Sequence, residues 1–117
     1  MIYEHSPTPR KVASERAAAL ATSVLHGVIT QGTGTRAARY GARGNIGGKT
    51  GTTNGYRDAW FAGFTPEIAV AVWVGRDRDG SIGLSGSRAA LPTWARFIKA
   101  SGSMNQPIQW PKNVTKI

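Results

Sequence analysis

The chain has 117 residues, of which 40% are hydrophobic and 18% are charged, and its formal net charge is +9. This length permits one ordinary domain, and the apolar content is sufficient for a core, so a multidomain or wholly disordered chain is excluded. The absence of cysteine excludes disulfides, thiolate metal sites and a cysteine nucleophile, and it leaves the redox compartment open.

The positive charge lies towards the two ends of the sequence. Residues 1–45 carry six basic and two acidic groups, residues 46–79 carry four of each, and residues 80–117 carry five basic groups and no acidic group. Cations spaced singly or in pairs, without interleaved aromatic residues, are more typical of a soluble surface than of a nucleic-acid interface. The longest apolar run, residues 68–74, is too short to span a bilayer, and the first residues lack signal-peptide character, so we expect no anchor or targeting signal in this chain.

The first predicted element is an amphipathic helix. Residues 1–13 are proline-rich and polar and predict an extended lead-in, after which Ser14 is a suitable helix N-cap. Apolar residues then recur at helical spacing until Gly32, a plausible terminator, and residues 36–40 could form a short turn. His26 lies beside the apolar stripe, where a solvated or hydrogen-bonded role is more common than catalysis or metal binding.

The second half predicts strands followed by a helix. Residues 46–53 indicate a glycine-rich strand, and Asn54-Gly55 supplies a turn before a hairpin formed by residues 59–64 and 68–74. Residues 89–100 predict a helix that could cover the alanine face of the second hairpin strand, and residues 101–117 an irregular tail. The prediction is one α+β domain, an antiparallel sheet of about three strands with flanking helices. Two helices cannot cover both apolar faces of this sheet, so we expect part of the natural structure to lie outside this chain.

The segment Gly48-Lys49-Thr50-Gly51-Thr52 carries the chemistry of the sequence. A phosphate loop is disfavoured because that motif needs glycine where Arg43 stands and a helix beginning at Lys49. The competing interpretation places Lys-Thr-Gly on a strand edge. In serine acyl-transferases of the penicillin-recognising kind, such a strand forms one wall of the cleft: the lysine supplies positive potential, the hydroxyls bind a substrate carboxylate, and the glycine lets the substrate lie against the backbone. The residue types of this segment fit that role.

The longer string around this segment closely resembles the C-terminal part of the transpeptidase domain of class A, bifunctional penicillin-binding proteins. The likeness covers roughly residues 10–100 and is carried by residues 48–66, Val72-Trp73-Val74-Gly75, Gly86-Ser87, Ala89-Ala90-Leu91-Pro92-Thr93-Trp94, Leu25-His26-Gly27-Val28-Ile29 and Gly32-Thr33-Gly34. The resemblance implies a fold like that of penicillin-binding transpeptidases and serine β-lactamases. It also implies a D,D-transpeptidase that cross-links peptidoglycan stem peptides through an acyl-serine intermediate and is acylated by penicillins.

The resemblance also implies roles for individual residues. Lys49 would provide electrostatic potential and assist proton movement, while Thr50 and Thr52 would bind the carboxylate of a D-Ala-D-Ala stem or a β-lactam. The backbone N–H of Thr52 would be one oxyanion-hole donor, and Gly51 would give access to that backbone. Asn54 and Tyr56 follow closely enough that they could touch substrate. No metal or organic cofactor is implied.

Two motifs of the family are missing. None of the eight serines has lysine three positions later, so no Ser-x-x-Lys nucleophile is present. The single Ser-x-Asn, Ser103-Met104-Asn105, follows Lys-Thr-Gly instead of preceding it and is interpreted as coincidence. We therefore expect residues 1–117 to be a single partial domain whose nucleophile lies upstream, and expect the isolated chain to be inactive.

The resemblance places the parent protein at the outer face of the cytoplasmic membrane, attached through an upstream anchor. Its partners would be stem peptides, β-lactams and the remainder of the transpeptidase domain, with no nucleic acid. The alternative function is a non-catalytic cationic module that binds cell-wall polymer or another protein.

Overall fold

The computed structural model describes residues 6–112 and 114, so the first five residues of the predicted lead-in and part of the predicted tail lie outside the described residues. Each predicted helix and strand is present within one or two residues of its expected bounds. In chain order the elements are α1 Glu15–Gln31, a 3-10 helix Thr35–Tyr40, β1 Gly47–Thr52, a 3-10 helix Asn54–Tyr56, β2 Ala59–Phe64, β3 Ala69–Val74, α2 Ala90–Ser101 and a 3-10 helix Ser103–Asn105.

The three strands form an antiparallel sheet in the order β1-β2-β3. Gly48 lies opposite Gly63 and Thr50 opposite Phe61, while Phe61 in turn lies opposite Val72. Strand β2 is therefore central, and β1 and β3 are edge strands within the described residues. The α+β architecture predicted from the sequence is confirmed.

Helix α1 begins and ends where its capping residues predict. The Ser14 hydroxyl accepts a hydrogen bond from the Ala17 N–H at 3.2 Å, and the Gly32 N–H donates to the Val28 carbonyl at the other end. These bonds satisfy backbone groups that a helix terminus otherwise leaves unpaired. His26 Nδ1 donates to the Ile46 carbonyl at 2.8 Å, so this histidine ties α1 to the residue before β1.

Helix α2 packs on the valine face of the hairpin, and the prediction that it covers the alanine face is wrong. Trp94 is fully buried, its ring lies 4.7 Å from that of Phe61 between centroids, and its Nε1–H donates to the Val70 carbonyl. A Cβ at Gly63 would lie 2.6 Å from the Trp94 ring, so glycine makes room for the indole. Gly63 lies opposite Val70, so this space for the indole exists on the valine face, and it decides between the faces. The core comprises Ile29, Ala37, Ala42, Ile46, Phe61, Ala90, Leu91, Trp94, Ala95 and Ile98.

The opposite face of the sheet remains open in the described part of the chain. We call it the outer sheet face and define it by Trp60, Ala62, Ala69, Ala71 and Trp73. All five are exposed, both tryptophans to 45%, and the two indole rings lie 6.3 Å apart between centroids. The uncovered apolar area that was expected from the sequence therefore lies on this side.

Candidate functional site

The candidate site is the edge of β1 that faces away from β2, where the loop after α1 reaches Thr50 and where Thr52 is exposed. The Thr53 N–H donates to the Asp58 carbonyl at 3.1 Å. Thr53 follows the last residue of β1 and Asp58 precedes the first residue of β2, so they form a hydrogen-bonded pair at the end of the β1–β2 ladder. Hydrogen-bonded and non-hydrogen-bonded pairs alternate along an antiparallel ladder. The main-chain groups of Gly48, Thr50 and Thr52 therefore point away from β2, and those of Lys49 and Gly51 point towards it. The Thr52 N–H consequently lies on the edge that an incoming ligand would approach.

Lys49 brings a positive charge to this edge. Its side chain is exposed, and its ammonium group donates to the Thr50 carbonyl at 2.9 Å and to the Thr50 hydroxyl at 3.1 Å. Although alternation places Lys49 on the other face of the strand from Thr50, the long side chain folds over the edge. The cation and the threonine hydroxyl thus converge.

The Thr50 hydroxyl is part of a short chain of polar groups. It lies 3.0 Å from the Thr33 hydroxyl, which belongs to the loop after α1. Because Lys49 already donates to the Thr50 oxygen, the Thr50 proton is directed to another acceptor, either Thr33 or a ligand. This arrangement turns Thr50 into a hydrogen-bond donor for an anionic group.

Thr52 is held from the other side by the loop before α2. The Gly86 N–H donates to the Thr52 hydroxyl oxygen at 3.0 Å, so the hydroxyl proton is again free to donate outwards. Gly86 is buried, and a Cβ there would overlap the carbonyl oxygens of Gly51 and Trp60. Glycine is therefore required where this loop crosses the strand backbone.

Gly48 and Gly51 of β1 differ in how strictly their surroundings exclude a side chain. A Cβ at Gly48 would lie 2.7 Å from the Phe61 ring and 2.8 Å from the Ala62 carbonyl oxygen, so Gly48 serves the packing of the sheet. A Cβ at Gly51 would lie 3.2 Å from the Trp60 Cβ, which is tight without being prohibitive. The requirement for glycine is thus stronger at Gly48 than at Gly51.

Asn54 and Tyr56 lie beyond the strand, in the 3-10 helix Asn54–Tyr56, and both are exposed. Tyr56 has a positive φ of 54°, which is uncommon for a residue other than glycine. Its carbonyl accepts from the Ile82 N–H at 2.8 Å and from the Ser81 hydroxyl. The structure therefore groups Lys49, Thr50 and Thr52 closely, whereas the placement of the other two along the substrate path stays a prediction.

The edge can bind an anion. One ammonium group, two hydroxyl protons and the outward N–H groups follow one another along a short stretch of extended chain, and each can donate to an anion. The outward carbonyls of the same residues are acceptors, and Lys49 already donates to that of Thr50. Such a row is complementary to a carboxylate and to the oxyanion of a tetrahedral intermediate. Thr33 and Gly86 were not identified as site residues from the sequence, although both belong to short glycine-containing segments of the resemblance.

Comparison with known proteins identifies the family. A family profile described as "Penicillin binding protein transpeptidase domain" matches residues 3–97. The chain belongs to the penicillin-binding protein transpeptidase family. Penicillin-binding protein 1A of Pseudomonas aeruginosa is 41% identical to 79% of this chain, and that of Aquifex aeolicus is 36% identical to 95% of it.

A solved relative has the same fold. The crystal structure of penicillin-binding protein 1A from Haemophilus influenzae superposes with a TM-score of 0.70 and 34% identity over 81% of this chain. The chain spans between 11 and 16% of the length of these three relatives. The resemblance to class A penicillin-binding proteins is thereby confirmed.

Among the residues that the structure describes, no helix combines the length and apolarity needed to cross a bilayer.

Proposed function

We propose that this chain forms the carboxylate-binding wall of a peptidoglycan D,D-transpeptidase domain. The observation that carries the proposal is the edge of β1 away from β2, where the Lys49 ammonium group, the Thr50 hydroxyl and the outward N–H of Thr52 supply hydrogen-bond donors close to one another. Lys49 supplies potential and assists proton movement, and Thr50 and Thr52 hold the terminal carboxylate of a D-Ala-D-Ala stem or of a β-lactam. The Thr52 N–H stabilises the oxyanion that develops on the attacked carbonyl.

The nucleophile comes from another part of the domain. No serine of the sequence is followed by lysine at the third position, and covalent catalysis needs a nucleophile within hydrogen-bond reach of its base. The exposed outer sheet face supports this division, since a face with two tryptophans and three alanines is costly to leave in water. We propose that the remainder of the transpeptidase domain covers it and carries the reactive serine.

The same proposal fixes the organisation and location of the protein. Residues 1–117 form one partial domain, with residues 1–13 as lead-in and residues 101–117 as tail. The assembled domain lies at the outer face of the cytoplasmic membrane, attached through an anchor outside this sequence. Its partners are stem peptides, β-lactams and the rest of the domain.

A graft into a relative tests the role of the strand edge. Residues 10–100 replace the matching segment of the Pseudomonas aeruginosa relative, and acylation by a fluorescent penicillin is timed. We expect Lys49→Ala to slow acylation by about 100-fold or more, the order that a positioned proton-transfer group contributes. Arg78→Ala removes the same charge from an exposed loop and should change the rate by less than about twofold. Equal effects of the two substitutions would refute the proposal.

Intact mass spectrometry of the 117-residue chain tests the source of the nucleophile. Incubation of the chain alone with penicillin should give no covalent adduct. A single adduct per chain would contradict the assignment of the serine to another part of the domain.

The alternative, a cationic module that binds cell-wall polymer or a protein, predicts a different result. Charge-driven binding weakens steeply with salt, and Lys49→Ala and Lys112→Ala would then reduce it equally. If the chain instead binds D-Ala-D-Ala peptides selectively, and Lys49→Ala weakens this binding much more than Lys112→Ala does, the result supports a transpeptidase cleft.

A further inference from the structure

A cationic concavity lies between the 3-10 helix Thr35–Tyr40 and the C-terminal half of α2. Its volume is about 600 Å³, and the side chains that define it include Arg39, Tyr40, Arg43, Arg96 and Lys99. The cations form two pairs, Arg39 with Arg43 and Arg96 with Lys99, and more than 50 positions separate the pairs in the sequence. Folding therefore converts charges that are scattered along the chain into one cluster.

The charge of this cluster is uniformly positive within the part of the chain that the structure describes. Among the described residues, no Asp or Glu lines the concavity. The two stretches that build it are also free of acidic residues in the sequence, from residue 16 to residue 57 and from residue 80 to the end. Four cations that face one space repel one another, so an anion bound there would be favoured.

The positions of two of the cations, Arg96 and Lys99, are set by packing. The Arg96 guanidinium lies over the Tyr40 ring, 5.2 Å from its centroid, which is a cation–π geometry. The Lys99 side chain runs along Gly41, where a Cβ would lie 2.6 Å from the lysine Cδ. Beneath them Ala37, Ala42, Ala95 and Ile98 belong to the core. Less side-chain entropy is therefore lost when a ligand binds.

We propose that this concavity binds a ligand that carries phosphate groups. Guanidinium groups match phosphate oxygens with paired N–H donors, and three of the four cations are arginines. The volume accommodates two linked phosphates. None of these residues belongs to β1 or to the loop around Gly86, so the proposal stands or falls separately from the transpeptidase assignment.

Calorimetric titration of the full chain with pyrophosphate tests the site. The double variant Arg39→Gln, Arg96→Gln should weaken binding by about tenfold or more, because two charge-assisted contacts are lost. The control variant Arg10→Gln, Arg16→Gln removes two exposed charges from the lead-in and α1 and should change affinity by less than about twofold. Equal losses in both double variants would overturn the proposal, as would the absence of pyrophosphate binding to the unmodified chain at low ionic strength.

A second pair protects the test against misfolding. Arg43→Gln, Lys99→Gln should reproduce the loss of affinity, and thermal unfolding followed by circular dichroism should match that of the unmodified chain for both pairs. Loss of binding in the first pair only, together with a lowered unfolding temperature of that pair, would count against a phosphate site.

Vesicles distinguish the source of the phosphate. Phosphatidylcholine vesicles with and without phosphatidic acid are sedimented with the chain. Binding that requires phosphatidic acid, is displaced by pyrophosphate and is lost in the Arg39, Arg96 double variant identifies a lipid headgroup. Pyrophosphate binding without vesicle binding identifies a soluble phosphate compound, and either result supports the site.

Discussion

Gly86 shows how a single residue without a side chain controls the candidate site. Its N–H donates to the Thr52 hydroxyl, and a Cβ at this position would overlap the backbone carbonyl oxygens of Gly51 and Trp60. We expect Gly86→Ala to displace the loop and to destabilise the chain by about 1 to 3 kcal/mol, the usual cost of overpacking. Urea unfolding measures this change.

The same substitution elsewhere should have the opposite sign. Gly27 lies inside α1, and a Cβ there would meet nothing within 4 Å. Gly27→Ala should therefore stabilise the chain by about 0.5 to 1 kcal/mol, since alanine loses less backbone entropy in a helix. If both variants unfold at the same urea concentration, Gly86 does not lie close enough to the sheet backbone to exclude a Cβ.

At the scale of helices and strands, the sequence predicted the type and the ends of most elements. Ser14 and Gly32 mark the ends of α1, and the turn at Asn54-Gly55 and the Thr65-Pro66-Glu67 connection separate the strands, because capping and turn formation depend on local residues. The choice of sheet face was not local. Both faces of β3 read as apolar, and the fit of Trp94 against Gly63, a residue of another strand, decided between them.

Neighbouring residues of α2 test which face of that helix is buried. Ile98 is fully buried, whereas Phe97 is 53% exposed. Ile98→Ala should destabilise the chain by about 2 to 5 kcal/mol, because a cavity is left in the core. Phe97→Ala removes a larger side chain and should cost less than about 1 kcal/mol. A larger loss of unfolding free energy for Phe97→Ala than for Ile98→Ala in chemical denaturation would mean that Phe97, and not Ile98, faces the core.

At the scale of the whole molecule, the convergence of the cations could not be predicted from the sequence. Their spacing along the chain is typical of a solvated surface, and only the packing of residues 35–43 against α2 brings four of them together. The donors of β1 were more accessible to prediction. Lys49, Thr50 and Thr52 are close in sequence, and an extended strand places them in order, whereas the partners Thr33 and Gly86 come from other loops.

The outer sheet face predicts how the isolated chain behaves in solution. Alternation along β3 leaves the main-chain groups of Ala69, Ala71 and Trp73 on the edge away from β2. An uncharged edge strand beside an exposed apolar face is a site for association with a second chain. We expect concentration-dependent self-association in sedimentation experiments. Ala71→Glu should weaken it by about tenfold or more because association would bury an unpaired charge.

The matched control places the same charge away from that face. Thr8→Glu lies in the exposed lead-in before α1 and changes the net charge equally. It should leave self-association within about twofold of the unmodified chain, since charge repulsion alone is screened at moderate salt. Equal loss of association in both variants would trace the effect to net charge. An effect confined to Ala71→Glu would mean that the sheet face is the surface that needs a cover, as the transpeptidase proposal requires.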